Sequence, residues 1–355
     1  MKLGIIGLPQ SGKTTIFNTL TRGNRPTTIS GGRFNVYTAV VDVPDGRIDR
    51  LRGIFRPQKV TYAKVTYADI AGLEGGAGRE GITGLLLNQL AQMDGFVHIV
   101  RSFIDERVPH PSGSVDPLRD IAAMDTDLLI NDLLTIERRL ERLDEEWRKG
   151  ARDKKVIERE KALFQRLNES LSKEVPLRDI PFSLEEEKLL SGFGLLTNKP
   201  VLIVLNLGEG QEPPDMEYSH GHSQVVALQG KLEMEIVQLS LEDAKLFMEE
   251  YGIEELGLNR IIRLSYDLLG LQSFFTYESQ EVRAWTVRRG ATAPEAAGVI
   301  HTDMQTGFIR AEVISFEELV ALGSISEARS KGRLRLEGKD YVVQDGDVIT
   351  IRFNV

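Results

Sequence analysis

The sequence contains no cysteine among its 355 residues. Without a thiol there is neither a disulfide framework nor a thiolate metal site, and cysteine-based catalysis is excluded. No apolar run approaches the roughly 20 residues of a membrane-spanning helix. The opening MKLGIIGL is interrupted by PQSGK too early for the core of a signal peptide. These absences predict a cytoplasmic protein with no membrane contact.

Positive charge is also in short supply. The chain has 44 lysine and arginine residues against 53 aspartate and glutamate residues, a formal net charge of −9. That balance excludes a wholly basic nucleic-acid-binding protein, although a local basic patch can exist within an acidic chain. Hydrophobic residues make up 41% of the chain, enough for more than one core. Two or three domains are therefore expected.

Short apolar runs bounded by Gly, Pro or Asp recur before residue 230. They occupy residues 3–6, 39–43, 96–100, 201–205 and 225–228, with helix-like segments between several of them. Runs that are apolar throughout are typical of strands buried on both faces. The alternation predicts a mostly parallel α/β sheet.

A different pattern begins near residue 120. Apolar residues three or four positions apart stand among dense charges, at Leu129, Leu133, Ile136, Leu140, Leu143 and Trp147. This is the spacing of a coiled coil. Gly150 interrupts the pattern, which resumes over residues 157–171 and ends at the two prolines of VPLRDIPFS. We therefore predict an antiparallel helical hairpin inserted into the α/β domain.

A third pattern follows LLGLQSFFTYESQ. Short strands, VRAWTV, GFIRAEVI, RLRL, DYVV and DVITIRF, are separated by Gly, Asp and short helices, which predicts a separate α+β domain. The predicted bounds are residues 1–119 with 196–276 for the α/β domain, 120–195 for the helical arm and 277–355 for the α+β domain. We interpret the pair Phe274 and Phe275, at the junction, as packing residues.

The stretch GLPQSGKT, from Gly7 to Thr14, fits the pattern G-x-x-x-x-G-K-[ST]. It follows an apolar strand and precedes the helical segment TTIFNTL, the context that this phosphate-binding motif requires. Gly7 and Gly12 let the backbone curl so that its N–H groups face phosphates. Lys13 is predicted to neutralise β/γ charge, and the Thr14 hydroxyl to ligate Mg²⁺. The predicted nucleotide-binding residues of this loop also include Pro9, Gln10, Ser11 and Thr15.

A second part of the site is the stretch DIAG at residues 69–72, after the strand-like KVTYA. Asp69, at a strand end, is predicted to ligate the metal with Thr14, and the Gly72 N–H to reach a γ-phosphate. Lys13, Thr14 and Gly72 are thus the predicted catalytic residues. Taken alone, the same four residues would favour a simple turn, and it is the phosphate loop that favours the interpretation as a switch.

Leu73 stands where a signalling GTPase carries the glutamine that orients the attacking water. Leucine has no polar group to do so, which predicts slow intrinsic hydrolysis. The surrounding GLEGGAGREG is rich enough in glycine to act as a nucleotide-dependent switch.

The stretch VLIVLNLGEG closes an apolar strand on Asn206, with Glu209 three residues later. Guanine-reading proteins have Asn-Lys-x-Asp at such a strand end, but here Leu207 replaces the lysine and Glu209 is one methylene longer. Discrimination in favour of guanine should therefore weaken. Asn206 can pair with the N6/N7 edge of adenine or with N7 of guanine. We predict that these three residues bind the base; the alternative is a strand end with a solvated glutamate.

With these motifs together, the chain resembles the YchF (Obg-like ATPase) family of translation-factor-class P-loop proteins. The similarity runs through nearly the whole length. It rests on GLPQSGKTTIFNTLT, DIAGLEGGAGREGITGLLLNQLAQMDGFVHIVRSF, VDPLRDI, KPVLIVLNLGE and, most specifically, EVRAWTVRRGATAPEAAGVIHTDMQTGFIRAEVI with GRLRLEGKDYVVQDGDVITIRFNV. The resemblance implies a P-loop G-domain, an inserted coiled-coil arm and a C-terminal TGS domain with a ubiquitin-like β-grasp fold. It also implies a preference for ATP, and Gly230 of LQGKLE resembles part of the last nucleotide-binding motif.

The sequence departs from the family pattern at two places. Gln10 stands where the family usually has asparagine, and ISGGRFNVYTAV replaces a threonine-containing switch I segment. Thr27, Thr28 or Thr38 could supply the second hydroxyl ligand of Mg²⁺, and the sequence does not choose among them.

Three functions compete. The first is a slow, Mg²⁺-dependent ATPase acting as a nucleotide-gated, translation-related factor on ribosomes. The second is a GTPase of the Obg class, and the third is a non-hydrolysing ribosome- or RNA-binding adaptor with a structural nucleotide site. The expected partners are ATP or GTP and the ribosome or its RNA, and a monomer is the expected state. A small-molecule kinase is disfavoured because no acceptor-binding lid is evident.

The predicted turn of the hairpin, RKGARDKK at residues 148–155, has five basic residues and one acidic residue. Such a run is often a solvated turn. A long arm with a basic tip is also shaped to enter a phosphate-lined groove, and the family resemblance implies ribosomal RNA as the target. Two histidines, His98 in FVHIV and His301 in VIHTDM, are interpreted as core residues with satisfied polar atoms.

Overall fold

The computed structural model describes residues 1–23, 36–70, 82, 84–150, 152–278 and 280–354. Its strands are β1 Lys2–Ile6, β2 Val36–Asp42, β3 Lys59–Thr61, β4 Lys64–Ile70, β5 Gly95–Arg101, β6 Val201–Asn206, β7 Ser223–Leu228, β8 Leu271–Tyr277, β9 Glu281–Arg288, β10 Phe308–Ser315, β11 Arg335–Glu337 and β12 Asp347–Phe353. Its helices are α1 Lys13–Thr21, α2 Gly46–Phe55, α3 Gly84–Ala91, α4 Pro117–Lys149, α5 Lys154–Ser172, α6 Leu184–Leu190, α7 Gly230–Gln238, α8 Leu241–Glu250, α9 Gly257–Leu268, α10 Ala293–Ile300, α11 Thr302–Thr306, α12 Phe316–Leu322 and α13 Ile325–Ser330.

The chain forms two compact units, residues 1–39 with 66–261 and residues 40–65 with 262–355. The predicted boundary at residue 277 falls at the end of β8, a strand that pairs with β9 inside the second unit. Residues 40–65 belong to that unit because they contribute β3, which pairs with β9. The three-domain division stays a prediction. None of the helices in the described ranges is long and apolar enough to span a membrane.

The first sheet has the strand order β2-β4-β1-β5-β6-β7. Strands β4, β1, β5, β6 and β7 run parallel to one another in that order. Every residue of β5 and β6 is buried, as expected for parallel strands covered on both faces. The predicted parallel α/β sheet is confirmed. Because the carboxyl ends of parallel strands share one edge, the last residues of β4 and the residues that follow β1, β5, β6 and β7 gather there.

The helical arm consists of α4 and α5. Asp116 caps α4 by accepting a hydrogen bond from the backbone N–H of Arg119, and Pro117 occupies the first turn. The helix ends at Gly150, whose φ of 61° stops it at the predicted interruption. All six predicted seam residues of α4 belong to or pack against a cluster shared with residues of α5, which include Ile157, Phe164, Leu167 and Leu171. The predicted hairpin is confirmed.

Asp132 fastens the arm to the segment that leads into β6. Its carboxylate accepts hydrogen bonds from the backbone N–H of Leu196 at 2.7 Å and from the N–H and hydroxyl of Thr197 at 2.7 and 2.6 Å. The carboxylate is buried, and burial raises its pKa to about 6 while these hydrogen bonds oppose the rise. The arm is therefore anchored by an ionisable group in the interior.

The second unit is built on a sheet of order β11-β10-β12-β8-β9-β3. The β8–β9 hairpin is antiparallel, β12 runs parallel to β8, and α10 packs with the core of this sheet. This arrangement agrees with the expected β-grasp fold. Phe274 and Phe275 are completely buried, which confirms that they are packing residues. Arg47 of α2 binds Asp345 at 2.8 Å, so the segment containing α2 and β3 is an integral part of the unit.

Candidate nucleotide-binding site

The phosphate loop connects β1 to α1 at the carboxyl edge of the first sheet. Gly7 and Gly12 have φ of 146° and 95°, conformations that residues with a side chain rarely adopt. A Cβ on Gly7 would collide with the carbonyl oxygen of Ile99, and one on Gly12 with Nδ2 of Asn206. Both glycines are therefore required by the turn that delivers the chain to the N-terminus of α1, where free N–H groups attract anions.

Two further loop residues have unusual geometry. Gln10 has a φ of 62°, which costs a non-glycine residue roughly 1–2 kcal/mol. Asparagine tolerates this conformation better than glutamine does, which gives a physical reason for the residue that the family pattern has there. The Gln10 Oε1 and Ser11 Oγ atoms are buried and have no hydrogen-bond partner within the described residues. Pro9 and Thr15, also in the predicted set, are half-buried.

Lys13 folds back over its own loop. Its Nζ donates to the carbonyl oxygens of Gly7 at 2.8 Å and Leu8 at 2.7 Å. Burial lowers the pKa of Lys13 to about 8, and the negative charge of Asp69 opposes this shift. The ammonium therefore lies at the N-terminus of α1 with a lowered pKa. A bound anion would raise that pKa again, because negative charge favours the protonated form.

Thr14 and Asp69 come together from different parts of the chain. The Thr14 hydroxyl donates to Oδ2 of Asp69 at 3.3 Å, across a sequence separation of 55 residues. Asp69 reaches this place because β4 pairs with β1, with Asp69 opposite Ile5, and its side chain is buried. A hydroxyl and a carboxylate are hard oxygen donors that fit Mg²⁺, which takes one or two carboxylates and completes its shell with phosphate and water. Within the described ranges there is no cluster of three His, Asp or Glu residues that could hold a metal by itself.

Asn206 joins three parts of the site. It ends β6 and is only 4% exposed. Its Nδ2 donates to the carbonyl oxygen of Ser11 at 3.0 Å, and its Oδ1 accepts from the backbone N–H of Gly230 at 3.1 Å. The amide therefore links β6, the phosphate loop and the first residue of α7. One N–H and one oxygen lone pair are left over for a base.

The remaining base-site residues lie in different environments. Leu207 is 7% exposed and belongs to the core cluster of the first sheet. Glu209 is exposed in the turn after β6. Gly230 is buried at the start of α7, where a Cβ would lie 2.7 Å from Oδ1 of Asn206. The structure thus gives Leu207 a packing role, and the predicted base contacts of all three residues stay predictions.

Several predicted residues are not brought into the site by the described chain. Gly72, predicted to be catalytic, and Leu73 lie outside the described residues, as do Thr27 and Thr28. Thr38, the third candidate for the switch I ligand, is an exposed residue of β2.

The two histidines differ from their interpretation as satisfied core residues. His98 is 2% exposed, but its Nε2 has no hydrogen-bond partner within the described chain. Burial lowers its pKa to about 3, and the charges of Lys13 and Arg178 add to this effect, so His98 is neutral at physiological pH. His301 is exposed instead of buried, because its ring accepts the N–H of Asp303 at the start of α11.

His110 and Asp120 form a buried pair that the sequence did not reveal. His110 Nδ1 accepts the N–H of Ser112 at 3.1 Å, which leaves the ring proton on Nε2 to bond Asp120 at 2.9 Å. The other oxygen of Asp120 binds Arg119 at 2.8 Å. The pair fixes the loop after β5 to the first turn of α4. Nothing in the local pattern predicts it, because the partners come from a loop and a helix.

Comparison with known proteins agrees with this geometry. The family model YchF-GTPase_C, described as "Protein of unknown function (DUF933)", matches residues 271–354. The ribosome-binding ATPase YchF of Bacillus subtilis is 40% identical to this chain over 364 residues, covering 99% of each. The chain belongs to the YchF family. The expectation drawn from its motifs is confirmed.

Other members of the YchF family match the chain along its length. The ribosome-binding ATPase YchF of Escherichia coli O157:H7 is 39% identical over 363 residues, covering all of this chain and 99% of that protein. The solved structure of the Schizosaccharomyces pombe YchF GTPase has a TM-score of 0.84 at 29% identity, and the match covers 99% of this chain and 97% of that one. Both the G-domain core and the C-terminal unit therefore follow the YchF fold.

Proposed function

We propose that this chain is a ribosome-associated P-loop NTPase that binds ATP with Mg²⁺ and hydrolyses it slowly as a translation-related factor. Its full-length relatives of Bacillus subtilis and Escherichia coli are named ribosome-binding ATPases, which supports the proposal. A ribosomal partner also supports the predicted cytoplasmic location.

One observation carries the nucleotide chemistry. The hydroxyl of Thr14 and the carboxylate of Asp69 lie 3.3 Å apart beside the buried ammonium of Lys13, although β4 and α1 are distant in sequence. Two hard oxygen donors and one cation at the N-terminus of a helix are the parts that a metal-bound polyphosphate needs. A structural glycine turn has no need of this arrangement.

Each residue of the site would have a distinct role in binding the nucleotide or in its hydrolysis. Lys13 is held by the carbonyl oxygens of Gly7 and Leu8, and a phosphate oxygen would take their place as its partner. Because its pKa is about 8, the ammonium is mostly protonated at pH 7 and would become more so beside phosphate. Thr14 and Asp69 would hold Mg²⁺, which when bound neutralises charge on the β- and γ-phosphates. Leu73 cannot polarise water, so the isolated protein should turn over slowly.

The proposed preference for ATP rests on the surroundings of the base. Asn206 already uses one donor and one acceptor within the protein, Leu207 packs in the core, and Glu209 is exposed. Among the described residues 206–209 there is therefore neither an ammonium stem nor a fixed carboxylate of the guanine-reading kind. GTP is the second candidate substrate, because the related solved structure is titled a GTPase.

Isothermal titration of ATP and GTP side by side, with Mg²⁺, tests the substrate. We expect ATP to bind at least as tightly as GTP. A tenfold preference for GTP, about 1.4 kcal/mol, would favour the Obg-class GTPase instead. Single-turnover hydrolysis then separates an enzyme from an adaptor: no product after prolonged incubation of the ATP complex with ribosomes would favour a structural nucleotide.

Ion pairs at the tip of the arm indicate which of its basic residues are available to contact ribosomal RNA. Arg152 binds Glu146 and Glu160, and Lys149 binds Glu145, so the charges of these two basic residues are partly neutralised within the arm. The Lys154 ammonium lies 5.1 Å from the ring centroid of Trp147. Arg148 and Lys155 form no ion pair with the described residues, and they are exposed. We infer that Arg148, Lys154 and Lys155 provide most of the charge that meets ribosomal RNA.

A further inference from the structure

Helix α8 presents apolar side chains to solvent. None of residues 242–250 is buried. Leu246 is 65% exposed, Tyr251 just after the helix is 59% exposed, and Leu239 just before it is 43% exposed. Phe247, which is half-buried, stacks on Tyr251 with a distance of 4.3 Å between the ring centroids. We call these four residues, with the carboxylates between them, the α8 surface.

The helix is well specified at its ends. Ser240 accepts the N–H of Asp243 at 3.1 Å and donates to its carboxylate at 2.7 Å. Gly252, with a φ of 64°, and the bond from the N–H of Ile253 to the carbonyl oxygen of Met248 at 2.8 Å close the last turn. The ten-residue length is nevertheless below the roughly 12–15 residues at which isolated helices become stable in water. Helices this short usually gain their stability from packing an apolar face, and within residues 242–250 only Ala244, Phe247 and Met248 are even half-buried.

The charges of the α8 surface also destabilise the free helix. Residues 239–254 contain one lysine and five carboxylates, Glu242, Asp243, Glu249, Glu250 and Glu254, all of them exposed. Glu249 and Glu250 lie in the last turn, where a helix disfavours negative charge by roughly 0.3–1 kcal/mol each, and no basic residue lies there. This charge placement weakens the free helix, and positive charge brought by a partner would relieve it.

We propose that the α8 surface docks a basic, amphipathic segment of a partner protein. Leu246, Phe247 and Tyr251 would contact its apolar face, and the surrounding carboxylates would pair with its lysine or arginine side chains. Nucleic acid does not fit, because its phosphates would meet five exposed carboxylates. The surface is separate in sequence from the phosphate loop and from the arm, so the proposal does not depend on the proposed ATPase activity.

A defined peptide tests the proposal on the full-length protein. The probe is an amphipathic peptide of about 18 residues, five helical turns, with leucine on one face and lysine on the other. Two matched peptides replace either every lysine with glutamate or every leucine with serine. Fluorescence anisotropy should detect the first peptide and find binding at least tenfold weaker for both matched peptides. Hydrogen exchange of residues 242–250 should slow at least tenfold when the first peptide binds.

Variants then locate the binding. Leu246→Ser with Tyr251→Ser should weaken the first peptide at least tenfold, and Glu249→Lys with Glu250→Lys should weaken it most at low salt. Leu336→Ser, an equally simple loss of a 48% exposed leucine in β11, is the matched control and should bind as the wild type does. Thermal unfolding checks that each variant folds.

Three results would overturn the proposal. One is failure of the wild type to bind the leucine–lysine peptide. Another is equal loss in the Leu336→Ser control, which would show adhesion without a site. The third is binding of a single-stranded RNA oligonucleotide that the Leu246 and Tyr251 changes weaken to the same degree, which would make nucleic acid the occupant.

Discussion

Replacement of Asn206 by alanine should weaken the first unit and the nucleotide site together. The amide is buried, and its removal leaves the carbonyl oxygen of Ser11 and the N–H of Gly230 without their partner. An unsatisfied buried group costs about 1–3 kcal/mol. The two together predict a loss of about 2–6 kcal/mol in the free energy of unfolding, enough to matter in a marginally stable domain.

The same change should lower ATP affinity through the phosphate loop. Asn206 supports the loop at Ser11, directly before Gly12, so its loss should free the loop to leave the binding conformation. Asn206→Asp separates the two contacts, because a carboxylate still accepts from Gly230 but repels the Ser11 carbonyl oxygen. Asn198→Ala, at an exposed position, is the matched control.

Urea unfolding followed by circular dichroism measures the stability, and calorimetry measures ATP binding. Asn206→Ala should reduce both quantities. For the same loss of stability, Asn206→Asp should lower ATP affinity more than Asn206→Ala does. The Asn198→Ala control should change neither quantity. The reasoning is refuted if Asn206→Ala loses less than 1 kcal/mol, a threshold set by the low end for one unsatisfied group. Lost ATP affinity with unchanged stability would mean that Asn206 only contacts the base.

Three other predictions follow from the same structure. Lys13→Ala should remove most ATP affinity in calorimetry with an unchanged melting curve, and wild-type affinity should fall as the pH rises through about 8, where free Lys13 loses its proton. The stability contribution of Asp132 should be complete below its unfolded pKa near 4 and be lost as the pH rises through about 6, because its folded pKa is raised. The stability difference between the wild type and Asp132→Asn should therefore shrink from pH 4 to pH 7 in urea titrations; a constant difference would contradict this. Arg148→Glu with Lys155→Glu should weaken ribosome co-sedimentation and flatten its salt dependence, whereas the paired Lys149→Glu should do less, and equal effects would show that ion pairing is irrelevant.

Much of the candidate site could be read from the sequence because its parts are local. The glycine spacing of residues 7–14 determines which conformations the loop can adopt, and Lys13 and Thr14 follow at fixed positions on α1. The seam of α4 and its end at Gly150 were also predictable, because periodicity and a left-handed glycine are properties of neighbouring residues. The exposure of His301 was not predicted, because the apolar residues Val299 and Ile300 directly before it suggested a buried segment and not the helix start that exposes it.

The strand-loop-helix unit, the coiled-coil arm and the family resemblance can be inferred from the sequence, since each depends on residues a few positions apart. The folded chain was needed to show that Asn206 supports the phosphate loop, that Leu207 packs in the core, and that residues 40–65 complete the second unit. Burial and hydrogen-bond partners depend on which strands become neighbours, and that order is set by the packing of the whole sheet. An asparagine at a strand end reads the same in a sequence whether its amide faces a base or a backbone carbonyl 195 residues away.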